Sequence, residues 1–289
     1  MASLKHKPSF DDVEKVEELS PSIHDHERDQ TVWQAFKGHP RIALFALAAC
    51  SSGKMFGYDQ IVNGASIALP SFILYFGTVS DTTHEPYLPS VWTSLWTAMS
   101  ALLQALGGIS IAPVSDCIGR RWPSIGCCVV SAGGVAIQFA SASRGMLLAG
   151  KMANGFAIGA GLAVATAWAS EISPMRLHGP IQSAIVLSTV LMQAMGLVVL
   201  RQNVATIEQK AFRLVFAIQW ACPGLTALLF LLVPESPTWL MLRGQPEKAK
   251  ASVYRLYGSA TAESHSGHVE RDIREEADTE HATGIGGGR

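Results

Sequence analysis

Six apolar runs of about 20 residues, separated by polar joints, are the feature that most limits the folds open to this chain. They lie at about residues 42–65, 90–114, 123–142, 145–169, 180–200 and 212–233. A run of this length spans the hydrocarbon core of a bilayer as a helix, and these runs lack the polar face of a soluble amphipathic helix. Charged residues make up only 16% of the 289 residues, against roughly 25% in soluble domains. The sequence therefore predicts an all-α membrane protein with six transmembrane helices.

The polar segments predict how the rest of the chain is organised. Residues 1–40 are expected to form a cytoplasmic polar tail, because they hold no apolar signal-peptide core. Residues 41–235 are expected to form the six-helix transmembrane bundle, and residues 236–258 cytoplasmic loop helices. Ser236 or Thr238 is placed to cap the first turn of those helices. Residues 259–289 are polar and glycine-terminated, which predicts a disordered tail.

Basic residues in the joints predict the orientation in the membrane. Arg120 and Arg121 lie between the second and third runs, and Arg176 lies between the fourth and fifth. The joint between the first and second runs carries Asp81 and Glu85 but no Lys or Arg. The positive-inside rule then places both termini in the cytoplasm. The fifth joint runs against this trend, with Arg201, Lys210 and Arg213, but it is outweighed.

Other function classes have little support in the sequence. The net charge of -1 offers no basic surplus for nucleic acid. The five cysteines lie in or beside apolar segments and show no metal-ligand spacing. No nucleophile and base pair or metal cluster stands out, so we expect neither an enzyme nor a cofactor or metal site.

Several polar motifs interrupt the apolar pattern. Asp59 lies within the first run, in "GYD", although a carboxylate at membrane depth costs about 2.5–3.5 kcal/mol even on mild insertion scales. The turn "SDCIGRRW" can pair acid and base across two helix ends, with a glycine for the tight reversal. Gly155 and Gly159 stand four residues apart in the fourth run, which predicts close approach of another helix.

Taken together and in order, these motifs resemble the sugar porter family of the major facilitator superfamily, in its fungal hexose and maltose permease branch. The segments that match are "GYD", "DCIGRR", "GKMANGFAIGAGLAVATAWASEISPMRLHG" and "RLVFAIQWACPGLTALLFLLVPESPTWL". The likeness implies a fold equivalent to the N-terminal six-helix half of a major facilitator protein. It also implies a multi-pass protein, placed in the plasma membrane, that moves a sugar together with protons.

The resemblance assigns roles to individual residues. It makes Asp59 the proton acceptor, facing Lys151 in the fourth helix, which a deprotonated Asp59 pairs with and a protonated one releases. The alternative is that Lys151 reaches the membrane surface and Asp59 sits at an interface. The resemblance makes Gln193 a sugar ligand, although a bridge to a neighbouring helix is also open. The second sugar-binding amide of the family is replaced by Val186.

A group of charged motif residues is implied to close the cytoplasmic gate. Its members are Asp116, Gly119, Arg120, Arg121, Glu171 and Glu235. Three arginines of the family pattern are missing, because Cys117, His178 and Thr238 stand in their places. We expect the acidic residues of the gate to lack these partners, which puts the gate in doubt.

Family members have twelve membrane helices, and this chain shows six. Three interpretations stay open from the sequence. The chain is a truncated sugar carrier, inactive alone or reliant on pairing with itself. Alternatively, it modulates a full-length permease in the membrane, or it acts as a dimeric carrier or exporter of another small metabolite. Its expected partners are the lipid bilayer, a sugar and protons.

Overall fold

The computed structural model describes residues 33, 36, 37, 40–80, 84–204 and 209–257. Ten α-helices are described over these ranges, in chain order α1 (Pro40–Ala65), α2 (Pro70–Phe76), α3 (Ser90–Ile118), α4 (Arg121–Phe139), α5 (Arg144–Ile172), α6 (Met175–Asn203), α7 (Gln209–Gln219), α8 (Ala221–Leu232), α9 (Pro237–Leu242) and α10 (Pro246–Tyr257). Each predicted apolar run coincides with one of these helices, or with the α7–α8 pair, to within a few residues. The fold is all-α, as predicted.

Within the described residues, five stretches are helical, long and apolar enough to cross a membrane: 90–118, 121–139, 144–172, 176–203 and 212–232. Helix α1 is also long enough, with 26 residues, but it carries Lys54 and Asp59. It packs against α5 and α6 and takes the place of the first of six spans.

The sixth span is made of two helices. Helix α7 ends at Gln219 and α8 begins at Ala221, with Trp220 between them. Pro223 accounts for the break, because proline has no N–H to donate to the carbonyl four residues earlier, which is that of Gln219. The sequence predicted a continuous run here.

The segment between α1 and α3 is more structured than a simple joint. It holds a short 3₁₀ helix (Ser66–Ala68), helix α2 and a two-stranded antiparallel hairpin of β1 (Thr78–Val79) and β2 (Pro86–Tyr87). Phe72 of α2 packs edge-on against Trp96 of α3 and Phe212 of α7. These aromatic contacts tie the segment to two helices of the bundle, α3 and α7.

Helix α5 is the central element, because it packs against α1, α3 and α4. Its small residues allow the close approach to α3. A Cβ atom at Gly155 would lie 2.7 Å from the carbonyl oxygen of Ser100, and one at Gly159 would overlap the carbonyl of Gln104. The spacing of these two glycines in the sequence had predicted such a contact.

Helices α9 and α10 occupy the segment predicted to hold loop helices. Ser236 caps α9, since its hydroxyl accepts a hydrogen bond from the backbone N–H of Trp239 at 3.4 Å. The predictions for the tails, residues 1–40 and 259–289, lie outside the described residues except at positions 33, 36, 37 and 40.

Candidate functional site

Asp59 lies in the interior of the bundle and is only 1% exposed. Four side-chain amides donate hydrogen bonds to its carboxylate. Asn63 Nδ2 and Gln104 Nε2 reach Oδ2 at 2.8 and 3.4 Å. Asn154 Nδ2 and Gln219 Nε2 reach Oδ1 at 2.6 and 2.9 Å. The donors come from α1, α3, α5 and α7, so one carboxylate joins four helices.

Lys151 of α5 is buried in the same region, with 1% exposure. Its Nζ donates to Asn63 Oδ1 at 2.7 Å, and the same amide donates from Nδ2 to Asp59. Lys151 and Asp59 do not form an ion pair within 4.0 Å, whereas Arg120 pairs with Asp116 and Glu171. The structure therefore differs from the expected direct pair, because Asn63 stands between Lys151 and Asp59. It also differs from the alternative in which Lys151 reaches the membrane surface.

The sequence offered a signal for two of the four amides. Asn63 follows Asp59 by four residues and Asn154 follows Lys151 by three, so each pair shares one face of its helix. Polar residues at these spacings in a membrane helix could have been added to the site. Gln104 and Gln219 lie on other helices, and only the fold brings them to Asp59.

The predicted sugar ligand Gln193 does not join this cluster. Its side chain is partly buried, and its amide makes no hydrogen bond with the described residues. Val186, where the family carries an amide, is 64% exposed.

An open cavity of about 450 Å³ lies between α1, α3 and α5. Its lining includes Phe56, Gln104, Leu162 and Thr166. Gln104 also donates to Asp59, so the cavity and the buried carboxylate share a residue. A solute in this cavity would lie one side chain away from Asp59.

Arg120 is the centre of a second polar cluster, at the α3–α4 turn. Its guanidinium donates to Asp116 Oδ1 at 2.6 Å and to Ser115 Oγ at 2.9 Å. It also reaches Glu171 Oε1 through two nitrogens, at 2.8 and 3.0 Å. Burial lowers the pKa of Arg120, but the hydrogen bonds and charges of Glu171 and Asp116 outweigh it and raise that pKa above its usual value.

Glu235 binds the same turn through backbone groups. Its Oε1 accepts from the N–H groups of Arg120, Arg121 and Ser236 at 2.7, 3.2 and 3.2 Å. The first two belong to the start of α4, where unpaired N–H groups and the helix dipole favour a carboxylate. Gly119 precedes them with φ +103°, and a Cβ there would lie 2.7 Å from Glu235 Oε2.

The acidic residues of the gate motifs thus have partners despite the three missing arginines. Arg120 meets Asp116 and Glu171, and backbone N–H groups meet Glu235. On the outside of the turn, Arg243 donates to the carbonyl of Cys117 at 2.7 Å. Arg121 points elsewhere, with Nε donating to the carbonyl of Phe230 at 3.1 Å.

Within the described ranges, no three His, Cys, Asp or Glu side chains gather as they would to hold a metal ion. The bundle, its buried carboxylate and its charged turn define a multi-pass membrane protein built like one half of a major facilitator carrier. Residues 45–284 match the family model described as sugar (and other) transporter. The chain belongs to that family.

Relatives and solved structures agree with this assignment. The chain is 38% identical over 273 residues to "MFS transporter fmqE" of Aspergillus fumigatus, covering 86% of this chain and 51% of that protein. It is 29% identical over 248 residues to "Alpha-glucosides permease MPH3" of Saccharomyces cerevisiae, covering 85% of this chain and 40% of that one. The MFS proton:xylose symporter XylE shares its fold, with a TM-score of 0.70 at 20% identity over 83% of this chain and 55% of that one. The chain spans about half the length of the proteins it matches.

Proposed function

We propose that this bundle is the proton-binding half of a proton-coupled sugar carrier, with Asp59 as the proton site. The observation that carries the proposal is a membrane-buried carboxylate held by four amides from four helices. Ionisable side chains inside a membrane are costly and mark ion or proton pathways. A purely structural role would be served at lower cost by an amide or an apolar side chain.

The cluster suggests how a proton would act on the bundle. The negative charge of Asp59 attracts the four amide donors and, through Asn63, the ammonium group of Lys151. Protonation removes that charge and weakens the attraction between α1, α3, α5 and α7. A carrier alternates between two arrangements of its helices. A change in the attraction between helices can favour one arrangement over the other.

The cavity suggests where the solute lies. Gln104 lines it and also touches Asp59, so solute binding and proton binding can influence each other through one amide. Amide side chains suit sugar hydroxyl groups, because they both donate and accept hydrogen bonds. Gln193 of α6 is the second amide that we assign to the sugar.

We infer that transport needs a second bundle. The matched relatives are about twice as long as this chain. Helix α6 exposes a row of large apolar side chains, at Val186, Leu187, Val190, Leu191 and Met195. The second bundle could be supplied by continuing polypeptide, by another copy of this chain or by a full-length permease. We place the protein in the plasma membrane with both termini in the cytoplasm.

A second candidate is a carrier of a less polar metabolite. The cavity presents the amide of Gln104 and the hydroxyl of Thr166, but its other lining residues, among them Phe56 and Leu162, are apolar. Val186 also offers no hydrogen bond where the family carries an amide.

Uptake assays in a yeast strain that lacks hexose and maltose carriers test the proposal. The chain expressed alone should give little uptake, and the chain fused to the second half of the α-glucoside permease should restore it. Robust uptake by the chain alone would contradict the need for a separate second half, and would favour a symmetric dimer in which another copy of the chain supplies the second bundle. A change in uptake only when an intact permease is co-expressed would instead identify a modulator. A fusion that reaches the membrane and moves apolar metabolites but no sugar would favour the second candidate.

A further inference from the structure

The four amides around Asp59 differ in how their own oxygen atoms are used. Three of these oxygens already accept a hydrogen bond: Asn63 Oδ1 from Lys151 Nζ at 2.7 Å, Asn154 Oδ1 from Ser131 Oγ at 2.6 Å, and Gln104 Oε1 from Gln60 Nε2 at 3.1 Å. Turning any of these amides would break the bond to Asp59 and a second bond behind it. Their orientation is fixed from both sides.

Gln219 is the exception. Its Nε2 donates to Asp59 Oδ1 at 2.9 Å, but its Oε1 is buried and accepts no hydrogen bond from the described residues. The carboxylate accounts for the orientation seen, because the opposite one would place two oxygen atoms against each other. Rotation of this amide breaks one hydrogen bond and no second one.

Protonation of Asp59 forces one amide to turn. Each carboxylate oxygen accepts two amide hydrogen bonds, which uses the acceptor capacity of the charged group. A proton on Oδ1 converts an acceptor into a donor that faces N–H groups. The new O–H can be satisfied only if a neighbouring amide offers its oxygen instead.

We propose that Gln219 is the positioning residue that detects protonation, by rotating its amide half a turn so that Oε1 accepts the new Oδ1–H of Asp59. This inference rests on the proposed proton site at Asp59. Gln219 ends α7, directly before the break at Trp220. The rotation therefore takes place at the discontinuity of the sixth span.

Other titratable groups pack around this part of the bundle. They are Lys151 of α5, Lys54 and Tyr58 of α1, and Cys222 of α8. Lys151 is held by Asn63, and Tyr58 Oη donates to the carbonyl of Val215 at 3.0 Å. Neither Lys151 nor Tyr58 is placed to accept a hydrogen bond from a protonated Asp59. We therefore assign this role to Gln219.

Infrared difference spectra of the purified 289-residue chain in lipid bilayers test the proposal. The chain is prepared with glutamine labelled with carbon-13 at the side-chain carbonyl, and spectra at acidic and neutral pH are subtracted. Acidification should produce a protonated-carboxyl band that is lost in Asp59→Asn. It should also shift one labelled glutamine carbonyl to lower wavenumber, because that oxygen gains a strong hydrogen bond. The shift should vanish in Gln219→Met and persist in the matched control Gln104→Met.

The outcomes separate the inference from the function on which it rests. A carboxyl band without a labelled glutamine shift, or a shift that survives Gln219→Met, overturns the role of Gln219 and leaves the proton site intact. Absence of any Asp59-dependent carboxyl band overturns both. If Gln219→Met does not fold, the other variants still decide, because a shift absent from Asp59→Asn and kept in both Gln104→Met and Gln60→Met must come from Gln219, the remaining glutamine at the cluster.

Discussion

Lys151 Nζ donates a hydrogen bond to Asn63 Oδ1 at 2.7 Å, with both side chains buried in the bundle. The same amide donates a hydrogen bond from Nδ2 to Asp59, so Asn63 connects the two charged groups. A direct ion pair would hold the two charged groups together whenever both were charged. An intervening amide instead lets each group change its charge while keeping a partner.

Replacing Asn63 should therefore be costly. Asn63→Leu leaves the buried ammonium group of Lys151 without an acceptor, and we expect a loss of about 3–5 kcal/mol in the free energy of unfolding. Denaturant titration in detergent micelles measures this loss. Asn203→Leu is the matched control, because that amide donates only to the carbonyl of Val199 in its own helix. A double variant with Lys151→Met should recover much of the loss, since it removes both partners. Equal losses in the single and double variants would contradict this account.

Gly119→Ala should destabilise the cytoplasmic turn. With φ +103° and ψ -177°, Gly119 occupies a backbone region that is essentially restricted to glycine. The new Cβ would also lie 2.7 Å from Glu235 Oε2. We expect a loss of about 1–3 kcal/mol in unfolding free energy. Gly133→Ala in α4 is the control, because a Cβ there meets nothing within 4 Å. If both alanine variants unfold alike, the turn does not depend on this glycine.

Arg120→Lys should weaken the link between the α3–α4 turn and α5. A lysine ammonium cannot reproduce the planar fork that meets Asp116, Ser115 and Glu171 at once. We expect a cost of about 1.5–3 kcal/mol, the range of hydrogen bonds to charged groups, measured as a lower midpoint of thermal unfolding. Arg243→Lys is the control, since that exposed side chain donates only to backbone carbonyls. Equal midpoints for the two variants would show that the fork has no special role.

Reporter fusions should reveal the orientation. Reporters near Pro86 should lie outside the cell, and those near Arg121 and Lys250 should lie in the cytoplasm. Basic residues cluster at both of the latter sites, at Arg120 and Arg121 and at Arg243, Lys248, Lys250 and Arg255. Protease protection of the fused tags measures the sides independently. A cytoplasmic reporter at Pro86 would overturn the proposed topology.

The sequence predicted the bundle well because apolar run length is a direct consequence of bilayer thickness. It missed α2 and the break at Trp220, because both depend on aromatic contacts or a local proline effect inside otherwise apolar stretches. Asp59 stood out as a charge in apolar surroundings, and the family resemblance pointed to Lys151. Gln104 and Gln219 were not identified from the sequence. A neutral amide in a membrane helix can be assigned a role only when the fold shows which group lies opposite it.

The same limit applies to the charged turn. Three missing arginines suggested unpaired acids at Asp116, Glu171 and Glu235. In the structure, Glu235 accepts hydrogen bonds from backbone N–H groups of the α3–α4 turn and of Ser236. The sequence pattern does not indicate such backbone donors. Sequence motifs show only which side chains are present, whereas a carboxylate can also be bound by the free backbone N–H groups at the start of a helix.

The most direct test of the central claim is proton movement during sugar uptake. Cells that express the chain fused to the second half of the α-glucoside permease are suspended without buffer, and external pH is recorded as an α-glucoside is added. The parent fusion should alkalinise the medium. Asp59→Asn keeps the size of the side chain but fixes it neutral, so the account predicts sugar exchange without alkalinisation. Alkalinisation by Asp59→Asn equal to that of the parent would contradict the assignment of Asp59 as the proton site.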